Sequence, residues 1–498
     1  MTKKFLSFAL AVIIFFSGTN FIFASDKAVF EYKNPRDIII TRPANNFQTY
    51  SDHVSLFGAC DYDYPLYINE KEIDYTEHGF FSSYENLNDG ENIFVLENGN
   101  HKKEVCVIKK KIEQNPDISS LDEIKLFDSK KCGIVTRDNI SHRTRPDEAN
   151  DDLVEPLVKN TMVNILGETK EYYFISDRTF IYKEAVDCFD GELPENQISG
   201  ISFDLENKEI KFKMNINSLY KVDLNPSKVN LVIYDSSLID NFDYQIVNNE
   251  LIKDINLTEN GENRSVEVLI ELQDNVKTNG YKIRFEDNCL ILGLKILPEK
   301  NFSDSPLHGI KVVVDAGHGG DDFGTLGPAG VKYLNEKDIN LMIAKKLKES
   351  LELLGAKVLM IRDADIFVPL TERVEQIKQF MPDFSVSIHG NSRLETKNYL
   401  EASGLIVYHT FNINNAPVII KEALAENLNF VRDTQVSNLA LTRITNCPAV
   451  LIETSFLSNP YDYERLINET EQENIANSIA YAIRKYFGPQ SIAMRIKK

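Results

Sequence analysis

One change of hydrophobic period divides this chain. From Val54 to Leu292 the apolar residues come in short alternating runs, whereas after Gly309 they form continuous strands separated by stretches of helical spacing. Alternation buries one face of a strand; a continuous apolar run is stable only where both faces are covered. The first two thirds are therefore expected to be antiparallel β units, and the last third an α/β domain. With 498 residues, and about 150 residues per domain as a prior, three or four domains are expected.

The chain opens with Lys3-Lys4, an uncharged apolar run Phe5 to Phe16, and small residues around Ala24. That order is a secretory signal over residues 1–24, with Ala24 the last residue removed. Left uncut, Phe5 to Ala24 is long enough to cross a membrane as a helix of about 30 Å. Either way the rest is exported, into the periplasm or to the cell wall and medium, membrane-anchored if the signal stays. Cys60, Cys106, Cys132, Cys188, Cys289 and Cys447 hold no CxxC clamp, which argues against a cysteine zinc site. Their pairing stays open.

Residues 30–112 carry short strands with Asp89-Gly90 and Asn98-Gly99 as hairpin turns. They resemble the immunoglobulin-like β-sandwiches that precede bacterial cell-wall enzymes. Residues 130–188, with Gly133-Ile-Val-Thr136, Val163 to Glu168 and Tyr172-Tyr-Phe-Ile175, resemble the bacterial Src-homology-three-type barrel. Such barrels commonly bind wall peptides; a spacer role is equally open here. Residues 196–298 alternate at Phe203, Leu205, Ile210, Phe212, Met214 and Ile216 and resemble wall-targeting β-domains of secreted amidases. Three small all-β domains are thus expected before the α/β domain at 309–488.

In that domain Ile310 to Val314, Val358 to Ile361, Phe384 to Ile388, Leu405 to Tyr408 and Ala449 to Ile452 read as strands of a mostly parallel sheet flanked by helices. The helices are expected around Ile339 to Leu354, Thr371 to Met381, Pro417 to Phe430 and Glu473 to Phe487. Ligands of such sheets bind beyond the carboxyl ends of the strands. His318 follows the first strand, His389 and Glu453 end two others, and Glu336 opens the first helix. Each has a bland reading: a turn histidine, a core histidine, a surface carboxylate, a carboxylate facing a helix dipole. Their convergence on one rim is what the bland readings do not explain. Two imidazoles and a carboxylate are a donor set of catalytic zinc with one position left for water, and a further free carboxylate can move protons.

Asp315-Ala-Gly-His318-Gly-Gly, Asn335-Glu336-Lys-Asp, Ser387-Ile-His389-Gly-Asn391 and Leu451-Ile-Glu453-Thr-Ser-Phe-Leu-Ser-Asn-Pro460 together resemble the zinc-dependent N-acetylmuramoyl-L-alanine amidases. The resemblance implies that His318, Glu336 and His389 bind one zinc per chain and that Glu453 is the catalytic acid/base. It also implies a substrate, the amide between the muramic-acid lactyl group and L-alanine in peptidoglycan. Ser455 and Ser392 stand where relatives often have glycine and a small residue; neither removes a ligand. Some relatives carry an inhibitory helix between the second histidine and the last glutamate, and the short Asn391 to Ser403 leaves no room for one. Two rivals remain: a zinc peptidase cutting elsewhere in the wall peptide, and a wall-binding protein with an idle catalytic domain.

Charge bears on partners. With 55 Lys+Arg against 75 Asp+Glu the formal charge is −20. Phosphate recognition wants a basic face, so nucleic acid is not expected. Nor is bulk attraction to an anionic wall; attachment is expected from specific contacts of the β-domains.

Overall fold

The computed structural model describes residues 13–16, 19–22, 32–111, 124–146, 156–246, 249–261, 264–298, 305–411 and 413–488. Two compact units emerge, Met1–Lys33 and Asn34–Lys498. In the first, Ile13–Phe16 pairs antiparallel with Thr19–Ile22. The expected cut after Ala24 lies outside the described residues. Among the described residues no helix is long and apolar enough to cross a membrane.

The second unit begins with a pair of sheets. Ile39–Arg42, His53–Ala59 and Phe80–Asn86 form a three-stranded sheet, and Gly90–Asn98 and His101–Lys109 belong to a five-stranded one. Val54, Leu56, Phe81, Leu96 and Val107 pack in one apolar cluster. Gly90 and Gly99 take φ of 92° and 58°, a region L side chains disfavour, which is why the hairpins turn there.

Residues 125–190 form a six-stranded sheet, and residues 196–296 a five-stranded and a four-stranded sheet. These stretches were expected to be separate domains, yet one core runs through both. Val135, Ile165 and Ile181 of the first cluster with Phe212, Leu231 and Ile270 of the second. All six cysteines are free thiols.

The last third is built from β1 (Lys311–Ala316), α1 (Glu336–Leu353), β2 (Lys357–Met360), α2 (Leu370–Phe380), β3 (Phe384–Asn391), β4 (Leu405–His409), α3 (Ala416–Ala425), β5 (Val431–Val436), β6 (Ala449–Phe456), α4 (Pro460–Ile467) and α5 (Glu469–Phe487). The sheet order is β2-β1-β3-β6-β4-β5. All pairs are parallel except β4 with β6. Val312, Val313 and Val314 are fully buried, as a central strand covered on both faces requires. Asn335 caps α1, its N–H donating to the Asp338 carboxylate at 2.9 Å, and Ile339, Ile343, Leu347 and Leu351 form the buried stripe. The helix expected through Phe430 ends at Ala425, and β5 and α4 were not expected. β5 is a polar edge strand, Val-Arg-Asp-Thr-Gln-Val, paired only with β4, so it carries little hydrophobic period.

The β units dock on this domain through specific contacts. Ser55 N–H donates to the Glu395 carbonyl at 2.7 Å, and Arg42 Nη1 to Ser392 Oγ at 2.9 Å. The rings of Phe80 and Tyr463 meet edge to face with centroids 4.9 Å apart. On another side Tyr281 N–H donates to the Thr445 carbonyl at 2.7 Å, and Asn279 Nδ2 to the Asp383 carbonyl at 2.8 Å.

Candidate metal centre and its acid/base carboxylate

The loop after β1 turns sharply and two buried arginines hold it. Arg373 Nη1 donates to Asp315 Oδ1 at 2.6 Å and to the Ala316 carbonyl at 2.8 Å, and its Nη2 to the His318 carbonyl at 2.7 Å. Arg362 donates to the carbonyls of Ala316 at 2.8 Å, Gly317 at 2.9 Å and Lys337 at 2.8 Å. Asp315 Oδ2 accepts from Ser387 on the neighbouring strand at 2.5 Å. Backbone carbonyls that a tight turn would leave bare are thereby satisfied, and the turn is fixed. His318 itself sits at φ 61°, an uncommon conformation for a non-glycine residue and one that functional sites retain.

Three donors meet at this turn. His318 Nε2 lies 3.0 Å, and His389 Nδ1 3.1 Å, from Glu336 Oε1. One ligand atom from each residue falls within 4.8 Å of the others. His318 Nδ1 contacts Asp322 Oδ2 at 2.8 Å, so a carboxylate orients the ring from behind, as second-shell partners of metal-binding histidines do. Glycines make the space. A Cβ on Gly317 would fall 2.2 Å from the His389 ring, and one on Gly324 2.6 Å from Glu336 Oε2.

The electrostatics describe a site short of positive charge. Burial works against a protonated His318, but the Glu336 and Asp322 carboxylates outweigh it and lift that imidazole to about 9. His389 rises for the same reason, burial being outweighed by Glu336. Burial would raise Glu336, yet bonds to both imidazoles hold it well below the carboxylate range. A divalent cation among these donors would supply the positive charge that the Glu336 carboxylate calls for. The donor set and geometry fit zinc.

Glu453 stands beside this cluster, its residue the register partner of His389 across the parallel β3/β6 ladder. Its Oε2 is buried with no hydrogen-bond partner, and burial lifts its carboxyl to about 7. A carboxyl poised near neutrality and not tied to a neighbour can accept and release a proton.

Comparison with known proteins adds the family. Residues 312–485 match the N-acetylmuramoyl-L-alanine amidase family. The Bacillus subtilis protein YqiI, uncharacterized, is 33% identical over 184 residues, 36% of this chain and 87% of that one.

This chain belongs to the N-acetylmuramoyl-L-alanine amidase family.

The "Probable cell wall amidase LytH" of Staphylococcus epidermidis is 33% identical over 200 residues, 39% of this chain. That match spans 64% of the staphylococcal protein, just under two thirds of its length. The solved N-acetylmuramoyl-L-alanine amidase AmiC2 of Nostoc punctiforme is 33% identical, over 36% of this chain and 98% of that one, with a TM-score of 0.34.

The four residues singled out in the sequence all reach one rim of the amidase-family domain: His318, Glu336 and His389 touch, and Glu453 flanks them. Asp322, Arg362 and Arg373 escaped sequence reading. Asp322 follows His318 by four residues in a glycine-rich loop with no regular period. The arginines lie near the end of β2 and inside α2, where charged residues usually face water; only their burial reveals them (2% and 3% exposed).

Proposed function

We propose that this protein is an exported zinc-dependent peptidoglycan hydrolase that cleaves the amide between N-acetylmuramic acid and L-alanine of the stem peptide. His318, Glu336 and His389 would hold the zinc, whose chemistry there is to polarise the scissile carbonyl and acidify water. Glu453 takes the proton of the attacking water at Oε2 and passes it to the departing L-alanine nitrogen, so the carboxyl ends each cycle as it began. Asp322 holds the His318 ring, and the two arginines hold the turn that presents it. The observation that carries this reading is a carboxylate whose Oε2 is buried without a partner, beside a His-Glu-His cluster in a domain of this family. The LytH relative, by its printed name a probable cell wall amidase, supports a wall substrate. The leader at 1–24 serves export, and the β units at 30–112, 130–188 and 196–298 place the enzyme on the wall.

Digestion of purified walls with the zinc-loaded protein, followed by mass analysis, tests this. Released peptides should begin with intact L-alanine. Fragments cut within the stem peptide would make it a peptidase, and no release at all would leave a wall-binding protein with an idle centre.

A further inference from the structure

The strand Ile39–Arg42 of the first β unit lies outside the amidase-family residues, yet it reaches the two segments that carry Glu336 and His389. Its pairing with His53–Ala59 slips between Ile40, opposite Gly58, and Arg42, opposite Phe57. Thr41 is the extra residue of a β-bulge, and a bulge bends its strand and re-aims side chains. Plain alternation would turn Thr41 and Arg42 to opposite faces. Here both meet the amidase-family domain. Thr41 Oγ1 donates to the Pro328 carbonyl at 2.7 Å, and Arg42 Nη1 to Ser392 Oγ at 2.9 Å.

Each contact leads to a metal donor. Pro328 belongs to the turn after Thr325, whose N–H donates to Glu336 Oε2 at 2.8 Å, and Gly327 N–H donates to Asn335 Oδ1 at 3.0 Å. Ser392 follows His389 by three residues, about 10 Å along an extended chain. Between them Gly390 N–H donates to Glu336 Oε1 at 3.2 Å. A further contact runs through Phe80, whose ring meets Tyr463; Tyr463 Oη donates to the carbonyl of Leu334, two residues before Glu336, at 2.7 Å. Residues 325–335 are irregular apart from the 3-10 turn Gly330–Lys332. No ladder fixes such a loop, so a ligand at its end is placed only as exactly as its supporting contacts allow.

We propose that Thr41 and Arg42 are positioning residues of the metal centre, the strand Ile39–Arg42 clasping the Glu336 and His389 segments at the separation their donors need. The first β unit is then a standing part of the centre, besides any role in wall attachment. The inference rests on the metal site proposed above and not on the reaction. A unit that served attachment alone would have no need to hold both segments beside the donors.

The full chain carrying Thr41→Val together with Arg42→Gln tests this. Zinc affinity, read by competition with a chromogenic chelator, should fall about tenfold. The visible absorption of the cobalt-loaded protein, which follows ligand geometry, should shift. On a soluble muropeptide kcat should fall with KM little changed, while co-sedimentation with purified walls holds. Thr41→Ser together with Arg42→Lys, which keeps a donor at each place, should recover the affinity and the spectrum. Unaltered affinity and spectrum in the first pair overturns the proposal, as does an equal loss in the second pair or a loss of wall binding alone. Should the first pair fail to fold, Thr41→Val alone carries the same comparison. If the metal readouts move as expected but no form of the zinc-loaded protein frees L-alanine-headed peptides, the hydrolase reading fails and the positioning role stands.

Discussion

His318 is held at φ 61° with carboxylates on both ring nitrogens, so its orientation depends on its neighbours more than on its own backbone preference. Asp322→Asn should therefore weaken zinc binding about 10- to 100-fold while leaving the fold intact, measured by competition with a chromogenic chelator. His318→Ala should lose both metal and activity. Glu453→Gln should lower kcat about 10²–10⁴-fold with zinc content near one per chain, because it removes the proton carrier and no ligand. Retained turnover in that variant would end the assigned role. His318, Glu336, His389 and Glu453 were legible because each sits in a short motif at a strand end or a helix start, where the α/β pattern says ligands gather. The turn's supports were not legible, because a buried arginine bonded to carbonyls has the same one-letter signature as an arginine in water. Arg373→Leu should cost about 3–5 kcal/mol in denaturant unfolding, since it strands the buried Asp315 carboxylate.

At the level of elements, the segment Ser392 to Gly404 is short and largely irregular. Here it contains only the short 3-10 turn Tyr399–Glu401, and the first β unit grips it: Ser55 bonds the carbonyls of Glu395 and Lys397, and Phe57 meets Tyr399 edge to face at 5.6 Å. Helix α3 is a core element, with Ile420, Ala423 and Leu424 buried. The purified enzyme should accordingly run at full rate alone; a jump in rate on adding a candidate activator protein would show restraint that this packing does not provide. The long amphipathic α1 and the valine-rich β1 were readable from period alone. Edge strand β5 was not, since strands that pair on one side and face water carry polar residues, and α4 is too short for a period to stand out. Leu347→Ala in α1 should cost about 2–5 kcal/mol, for it empties a fully buried position under the sheet.

For the whole molecule, a charge of −20 means that wall attachment should survive moderate salt, read by co-sedimentation with purified walls. Release by modest salt would point to bulk electrostatics instead. The sequence divided residues 130–188 from 196–298 because each stretch carries its own alternation and turns; alternation reports which face of a strand is buried, not against whom. In the structure Val135 and Ile165 share one cluster of buried residues with Phe212 and Leu231. Its consequence is one of inheritance: the two stretches should melt in a single transition, read by calorimetry, and should not be separately tradable between proteins. A recombination event falling at 191–195 would leave each half with a bare apolar face, so this pair should travel through related chains as one exchangeable block.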